Sequence, residues 1–321
     1  MNTTINGSAF FHVHWNPTGY KIGATVAYCL IFVVSLVGNS CIGIIVYKTK
    51  TLRKPINIFI VNMAMSDLLV PLIYIPLEVV NLYRYSWLII GILGNAFCKL
   101  IYFLFEVSYI VSIQSLILIA VSRFGAVVWP LHSPLINLER CTFFILATRI
   151  VAMASSSPDL FAYTLEKNEG EVLCLYQWEE AFGESASLTD FVLAYYIVFV
   201  YTPIIVLIII YSIILIKLKL QKTPGQQSTD AEIQRNKRNT NALKLAIAIL
   251  LGLTFCKFPW SIIKLMSLYG TWPCSMFPQY YDTSLFLLIS YCAVNPCICF
   301  AFCRNYREGL KRLVKCCSDS T

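Results

Sequence analysis

The sequence predicts an all-α integral membrane protein: a seven-transmembrane helix bundle with a short amphipathic eighth helix. Three observations lead there. Of the 321 residues, 58% are hydrophobic and 13% charged, against about 45–50% apolar and about 25% charged in a soluble domain. Seven segments, at about 22–47, 57–83, 95–128, 140–163, 189–217, 241–269 and 281–302, are long enough to cross a bilayer core. None alternates apolar and polar residues as a barrel strand does, and all but the sixth read as near-continuous apolar helices. The chain therefore divides into an extracellular N-terminus (1–21), a seven-span domain (22–302) and an amphipathic helix with a cytoplasmic tail (303–321).

The charge follows the same plan. The formal net charge is +8, and the basic residues cluster after particular spans. Lys48, Lys50, Arg53 and Lys54 follow the first; Lys217, Lys219, Lys222, Arg235, Lys237 and Arg238 the fifth; Arg304, Arg307, Lys311, Arg312 and Lys315 the seventh. Basic loops mark the cytoplasmic side, so the N-terminus is expected outside the plasma membrane. The surplus then faces inward, and a nucleic-acid partner has no support. Asn2-Thr3-Thr4 and Asn6-Gly7-Ser8 are glycosylation sequons on the outer side. Residues 1–8 carry no charge and no apolar run, so the first span is expected to act as its own insertion signal.

Span by span, the residues that interrupt the apolar pattern carry the information. The first holds Gly38-Asn39 at its middle, where an asparagine bonds another helix or its own backbone. The second holds Asp67, and an acid inside a bilayer is costly and by default functional. The third opens at Cys98 and closes on Ser122-Arg123-Phe124, about 37 Å further along a helix. The fourth runs to Pro158, the fifth contains Pro203 and Tyr211, the sixth Cys256-Lys257-Phe258-Pro259, and the seventh Asn295-Pro296-Cys297-Ile298-Cys299. Prolines inside spans kink helices and free carbonyls, giving points that a moving helix can use. Beyond the seventh, Phe302, Tyr306, Leu310 and Leu313 fall on one face, as in an interfacial helix, and Cys316-Cys317 follow. Gln221 to Asp230 reads as a short solvated inner loop. Of the thirteen cysteines, Cys29, Cys41, Cys141, Cys256, Cys292, Cys297 and Cys299 lie within spans as small core residues. Only Cys98, Cys174 and Cys274 fall in oxidising space, so one pair and one leftover thiol is the simplest account.

Gly38-Asn39, Ala64 with Asp67, Cys98, Arg123, Pro158, Cys174, Pro203, Tyr211, Cys256 with Pro259, and Asn295-Pro296 occur in one order across all seven spans. In this the chain resembles, over about residues 20–315, the rhodopsin-like (class A) G-protein-coupled receptors, and most of all their neuropeptide-receptor branch. The resemblance implies a disulfide between Cys98 and Cys174. It implies a heterotrimeric G protein as partner, met by Arg123 when the sixth helix swings outward and Tyr211 steadies the open state. Asp67, Ser112 and Asn295 match the family's sodium site, and their hard oxygen donors suit such a cation; no other cofactor is implied. Cys316 and Cys317 match positions that carry palmitate in many members.

The departures are as informative. Ser122 stands where the family has an acid and Phe124 where it has a tyrosine, so the arginine loses its usual resting partner and basal signalling is expected to be raised. Arg149 and Lys257 replace tryptophans of the fourth and sixth helices, and Cys299 a tyrosine of the seventh. A charge at mid-bilayer costs about 2.5–3.5 kcal/mol even on insertion scales, so both cations demand partners. Lys257 is expected to reach Asp67 and displace sodium as a tethered counter-ion. Arg149 has no partner legible in the sequence.

Phe105, with Glu106 beside it, occupies the place of the aspartate found in the family's small-amine receptors, and Ile289 that of the retinal lysine, which disfavours both ligand classes. In the second outer loop Glu166, Glu169, Glu171, Glu179, Glu180, Glu184 and Asp190 face Lys167 alone. Crowded like charges attract a cationic ligand, the plainer alternative being a solvated loop. Glu78, Glu106 and Asp159 add acids near the family's pocket, with Tyr102, Phe105, Tyr109, Tyr195, Tyr280, Tyr281 and Trp260 as aromatic walls. The loop's length around Cys174 resembles peptide receptors, whose loop forms a hairpin lid. The expected ligand is a short basic neuropeptide, an amidated one ending in Arg-Phe fitting best; the alternatives are a non-signalling or decoy receptor and a receptor for a small non-peptide ligand. A transporter would show repeats or broken helices in matched halves. An enzyme needs a nucleophile–base pair or a metal quartet, whereas His12, His14 and His132 all lie outside the spans.

Overall fold

Seven helices among the described residues are long and apolar enough to cross a membrane. They are α1 (Pro17–Lys48), α2 (Pro55–Tyr83), α3 (Gly91–Val128), α4 (Leu138–Ser156), α5 (Leu188–Leu220), α6 (Asp230–Tyr269) and α7 (Phe277–Phe302); α8 (Arg304–Ser318) follows. The computed structural model describes residues 17–84, 86–129, 135–168, 170–220, 230–269 and 277–318. The sequons at Asn2 and Asn6, Glu169, Cys274 and the inner loop 221–229 lie outside them.

The boundaries differ from the expected ones for local reasons. α1, Pro17–Lys48, takes in the last residues assigned above to the N-terminus. α6 runs from Asp230 because Ala231, Glu232, Gln234, Arg235, Lys237 and Arg238, good helix formers, outnumber the poor ones in the polar segment before residue 241 and continue the helix past its apolar part. α4 stops at Ser156, ahead of Pro158, and a short helix, Asp159–Ala162, turns the chain into a strand. Two π-helical turns were not anticipated: Val70–Tyr74 in α2 and Ile197–Tyr201 in α5. Pro71 and Pro203 lack the N–H that would bond the carbonyl four residues back, and the wider turns accommodate the missing bonds.

α3 runs through the middle, packed on α2, α4 and α5, while α6 lies along α7 and α1 along α2 and α7. Asn39 does bridge helices: its Nδ2 donates to the Cys292 carbonyl of α7 at 2.9 Å and to the Ser35 carbonyl at 2.9 Å. A side chain at Gly38 would come within 2.7 Å of Pro296, so the α1–α7 contact at the α7 kink requires glycine. α8 folds back on α1, where a Cβ at Gly309 would lie 2.5 Å from Ile45. Tyr306 is fully buried there and donates to Asn57 at 3.1 Å, with Leu310 and Leu313 packed beside it. Phe302, expected on that same face, instead ends α7 and is exposed.

Candidate functional site

The end of the bundle expected to face outward is built on a hairpin, β1 (Tyr163–Asn168) and β2 (Glu171–Tyr176), paired antiparallel with Leu165 opposite Cys174. Cys174 is disulfide-bonded to Cys98 of α3. Asn95, one turn earlier on α3, accepts from the Leu165 N–H at 3.1 Å and the Thr164 hydroxyl at 3.4 Å, and the Trp87 N–H donates to the Val172 carbonyl at 2.6 Å. Covalent and hydrogen bonds thus tie the hairpin to the outer end of α3. Glu166, Glu171, Glu179, Glu180 and Glu184 are exposed on this loop, and Asp190, expected there, is exposed in the first turn of α5.

Beneath it lies an aromatic layer. Tyr102 stacks on Tyr163 at 4.0 Å and meets Tyr74 edge-on at 5.9 Å, and Tyr74 stacks on Phe105 at 4.2 Å. Burial, reinforced by the Asp159 carboxylate, pushes the Tyr163 hydroxyl well above the usual phenol range, so it remains a donor. Trp260 and Tyr281 face one another across α6 and α7 at 5.2 Å. Tyr20 donates to Asp282 at 2.9 Å. Phe105 and Tyr109, expected as pocket walls, are only 4% and 1% exposed and pack in the core, while Trp260 is 7% exposed.

Lys257 is where the structure corrects the expectation. Its ammonium pairs with Glu106 of α3 at 3.5 Å, not with Asp67, and sits 4.1 Å from the centre of the Tyr109 ring. The reason is depth. Glu106 lies six residues, about 9 Å, outward of Ser112 along α3, and Ser112 marks the level of Asp67, to which it donates at 2.6 Å. Asn295 donates to the other Asp67 oxygen at 2.7 Å, so both carboxylate oxygens are engaged without the lysine. The second Glu106 oxygen accepts from the Tyr195 hydroxyl of α5 at 2.8 Å. Below the pair, Tyr291 of α7 shares a 2.7 Å hydrogen bond with Ser108 and meets Tyr109 edge-on.

Arg149 also has a partner. Its Nε–H donates to the Asn62 Oδ1 at 3.3 Å, while Asn62 Nδ2 donates to Ser115 at 3.1 Å and to Thr148 at 3.4 Å. One asparagine thus joins α2, α3 and α4. At the inner end Arg123 donates to Asn239 of α6 at 3.5 Å, and the buried Tyr211 hydroxyl makes no hydrogen bond among the described residues. On α8 the Arg304 guanidinium, 2.6 Å from Glu308, holds that carboxyl below its usual range. Cys316 and Cys317 fall in the last turn of this helix.

Sequence reading missed Asn62, Asn95, Asn239, Tyr195 as the partner of Glu106, and Tyr291. Each acts across helices, and no spacing within one span reveals it. Depth counted along α3 was the one usable signal, since it separates the levels of Glu106 and Asp67.

A bundle of seven membrane-length helices, with its third helix disulfide-bonded to an outer hairpin and an arginine at that helix's inner end, defines a heptahelical receptor architecture. The sequence bears this out: residues 38–298 match the family described as 7 transmembrane receptor (rhodopsin family). The chain belongs to that family. Curated relatives include the RYamide receptor of Drosophila melanogaster, 25% identical over 94% of this chain and 65% of its own length. The QRFP-like peptide receptor of Branchiostoma floridae is 26% identical over 78% and 65%, and the Substance-K receptor of Bos taurus 27% identical over 91% and 75%. The chain thus spans just under two thirds of the length of the first two.

Proposed function

We propose that this chain is a plasma-membrane receptor, N-terminus outside, that binds a short cationic neuropeptide and activates a heterotrimeric G protein through movement of α6. The observation that carries the reading is the acidic hairpin pinned to α3 above a floor of tyrosines and carboxylates: its field attracts a cation and its aromatic faces suit one. Relatives named for peptide ligands support the peptide class.

α6 is joined to α3 at two levels, Lys257–Glu106 in the outer half and Asn239–Arg123 at the inner end. A ligand that engages Glu106 weakens the upper join, and α6 carries Pro259 two residues beyond Lys257 as a point of bending. Release of Asn239 frees Arg123 for the G protein, with the unbonded Tyr211 hydroxyl ready to steady it. Asp67, Ser112 and Asn295 offer oxygen donors to a sodium ion, and the fit is supported by the Asn295 Oδ1, which is buried without a hydrogen bond among the described residues. Such an ion would supply positive charge to the Asp67 carboxylate, a place that Lys257, paired with Glu106, does not take. Palmitate on Cys316 and Cys317 would hold α8 at the inner leaflet.

The test is a screen of basic neuropeptides, amidated forms included, on cells expressing the chain, with second-messenger readout. A saturable response to a cationic peptide, lost in Cys98→Ala, is expected. Silence towards every peptide despite confirmed surface expression would refute the peptide reading, and binding without a second-messenger change would mark a non-signalling receptor.

A further inference from the structure

We propose that Arg149 is half of an ion pair within the membrane whose other half comes from a different protein: a transmembrane helix with a carboxylate on its lipid-facing side docks against α4. Arg149 is exposed on α4, and an exposed side chain in a span faces lipid. It lies eleven residues, about 16 Å, from the Leu138 end of a span that reaches Ala162, and a hydrocarbon core about 30 Å thick has its midplane about 15 Å in. Asn62 accepts from Nε–H alone, at 3.3 Å, and the two terminal nitrogens make no hydrogen bond among the described residues. The ion pairs among those residues are Lys257–Glu106 and Arg304–Glu308, so no described carboxylate balances Arg149. Asn62 is neutral: it satisfies one donor and leaves the charge uncompensated. What remains, Nη1 and Nη2 side by side, matches the two oxygens of a carboxylate. Leu146, Ile150 and Met153, at three residues before, one after and four after on the same helix, are also exposed, which sets the guanidinium in an apolar surface that a helix can cover.

Charge and depth select the occupant. A phospholipid phosphate would have to leave the interface and enter the core by about half its thickness, and the bond to Asn62 holds the side chain against α2. A second copy of this chain supplies no carboxylate. Asp67 is the acid in the spans nearest that depth, and it is fully buried with its oxygens engaged by Ser112 and Asn295. Two such faces brought together by a two-fold axis would also set Arg149 against Arg149. A foreign helix bearing Asp or Glu fits both requirements, because that acid is itself costly in lipid and each helix supplies the other's counter-ion. The inference uses α4 only as a span, and it stands whether or not the ligand is a peptide.

The test uses the purified full-length chain, donor-labelled, in phosphatidylcholine vesicles with a dilute acceptor-labelled synthetic helix of about 20 leucines. The helix carries glutamate, glutamine or leucine at its centre, or glutamate at one end, and energy transfer reads association. Central glutamate is expected to associate about threefold to twentyfold more tightly than central leucine or glutamine, the range that single polar contacts between membrane helices give. The preference should vanish with glutamate at the end of the helix, a comparison that needs no variant of the chain, and it should vanish in Arg149→Trp. Equal association of the central glutamate and leucine helices, or a glutamate preference that persists in Arg149→Trp, would overturn the proposal. Loss of the preference when the vesicles contain phosphatidylserine would assign Arg149 to a lipid headgroup instead. Energy transfer between two labelled copies of the chain that depends on Arg149 would assign it to self-association, and either result overturns the foreign helix.

Discussion

Removing one member of the Lys257–Glu106 pair should harm the protein more than removing both. At 3.5 Å and an effective dielectric of about 20, the attraction is about 4.7 kcal/mol before desolvation is subtracted. Glu106→Gln strands an ammonium that is 2% exposed, with a tyrosine face as its remaining company; the expected loss is about 3–5 kcal/mol, as for other broken buried pairs. Lys257→Met is milder, about 1–3 kcal/mol, because the carboxylate left behind is partly exposed and keeps the Tyr195 hydroxyl. The double variant removes the desolvation cost with the attraction and should lie within about 1–2 kcal/mol of wild type, since an uncharged buried pair is often neutral in stability. Thermal unfolding of the four purified proteins in one lipid environment closes the cycle. Losses that simply add in the double variant would mean that the two charges do not interact, and the account of how this chain tolerates a lysine in its sixth helix would fall.

Two further outcomes follow from the other substituted positions. Asn62→Leu leaves the Arg149 Nε–H without its acceptor, a loss of about 1.5–3 kcal/mol for a hydrogen bond to a charged group. Surface expression should drop and should recover in Asn62→Leu/Arg149→Trp; no recovery would show that Asn62 serves the three-helix junction alone. Ser122→Asp restores a carboxylate beside Arg123 and should lower basal second-messenger levels in cells, with unchanged basal activity counting against the loss of restraint at that end.

The architecture was legible because membrane insertion writes itself locally. Long apolar runs give the spans, and the positions of Cys98, Arg123, Pro259 and Asn295 lie within single spans where order along the chain is enough. What stayed hidden was pairing between spans. Lys257 plainly needed an acid, and Asp67 was the one already marked as functional, but the choice between Asp67 and Glu106 depends on depth and rotation in the bundle. Arg149 needed an acceptor, and Asn62, five residues before Asp67, was in view without any local feature to tell its direction. The π turns at Val70–Tyr74 and Ile197–Tyr201 were hidden for a different reason: a proline announces a missing hydrogen bond but not how the turn absorbs it.

The two ends of the α3–α6 contact now differ in kind. At the inner end, where the loss of the acid to Ser122 removes a charged neighbour, Arg123 reaches α6 through a 3.5 Å hydrogen bond to a neutral amide. In the outer half, α6 is held by an ion pair in which the lysine is buried and the glutamate lies within reach of the aromatic floor. The costs of disruption scale accordingly: losing a hydrogen bond to a charged group costs about 1.5–3 kcal/mol at good geometry and less at 3.5 Å, whereas removing one partner of a buried pair costs about 3–5 kcal/mol. The restraint on α6 that costs more to break is therefore the Lys257–Glu106 pair, and the lysine that is costly in the sixth helix is also what joins that helix to α3.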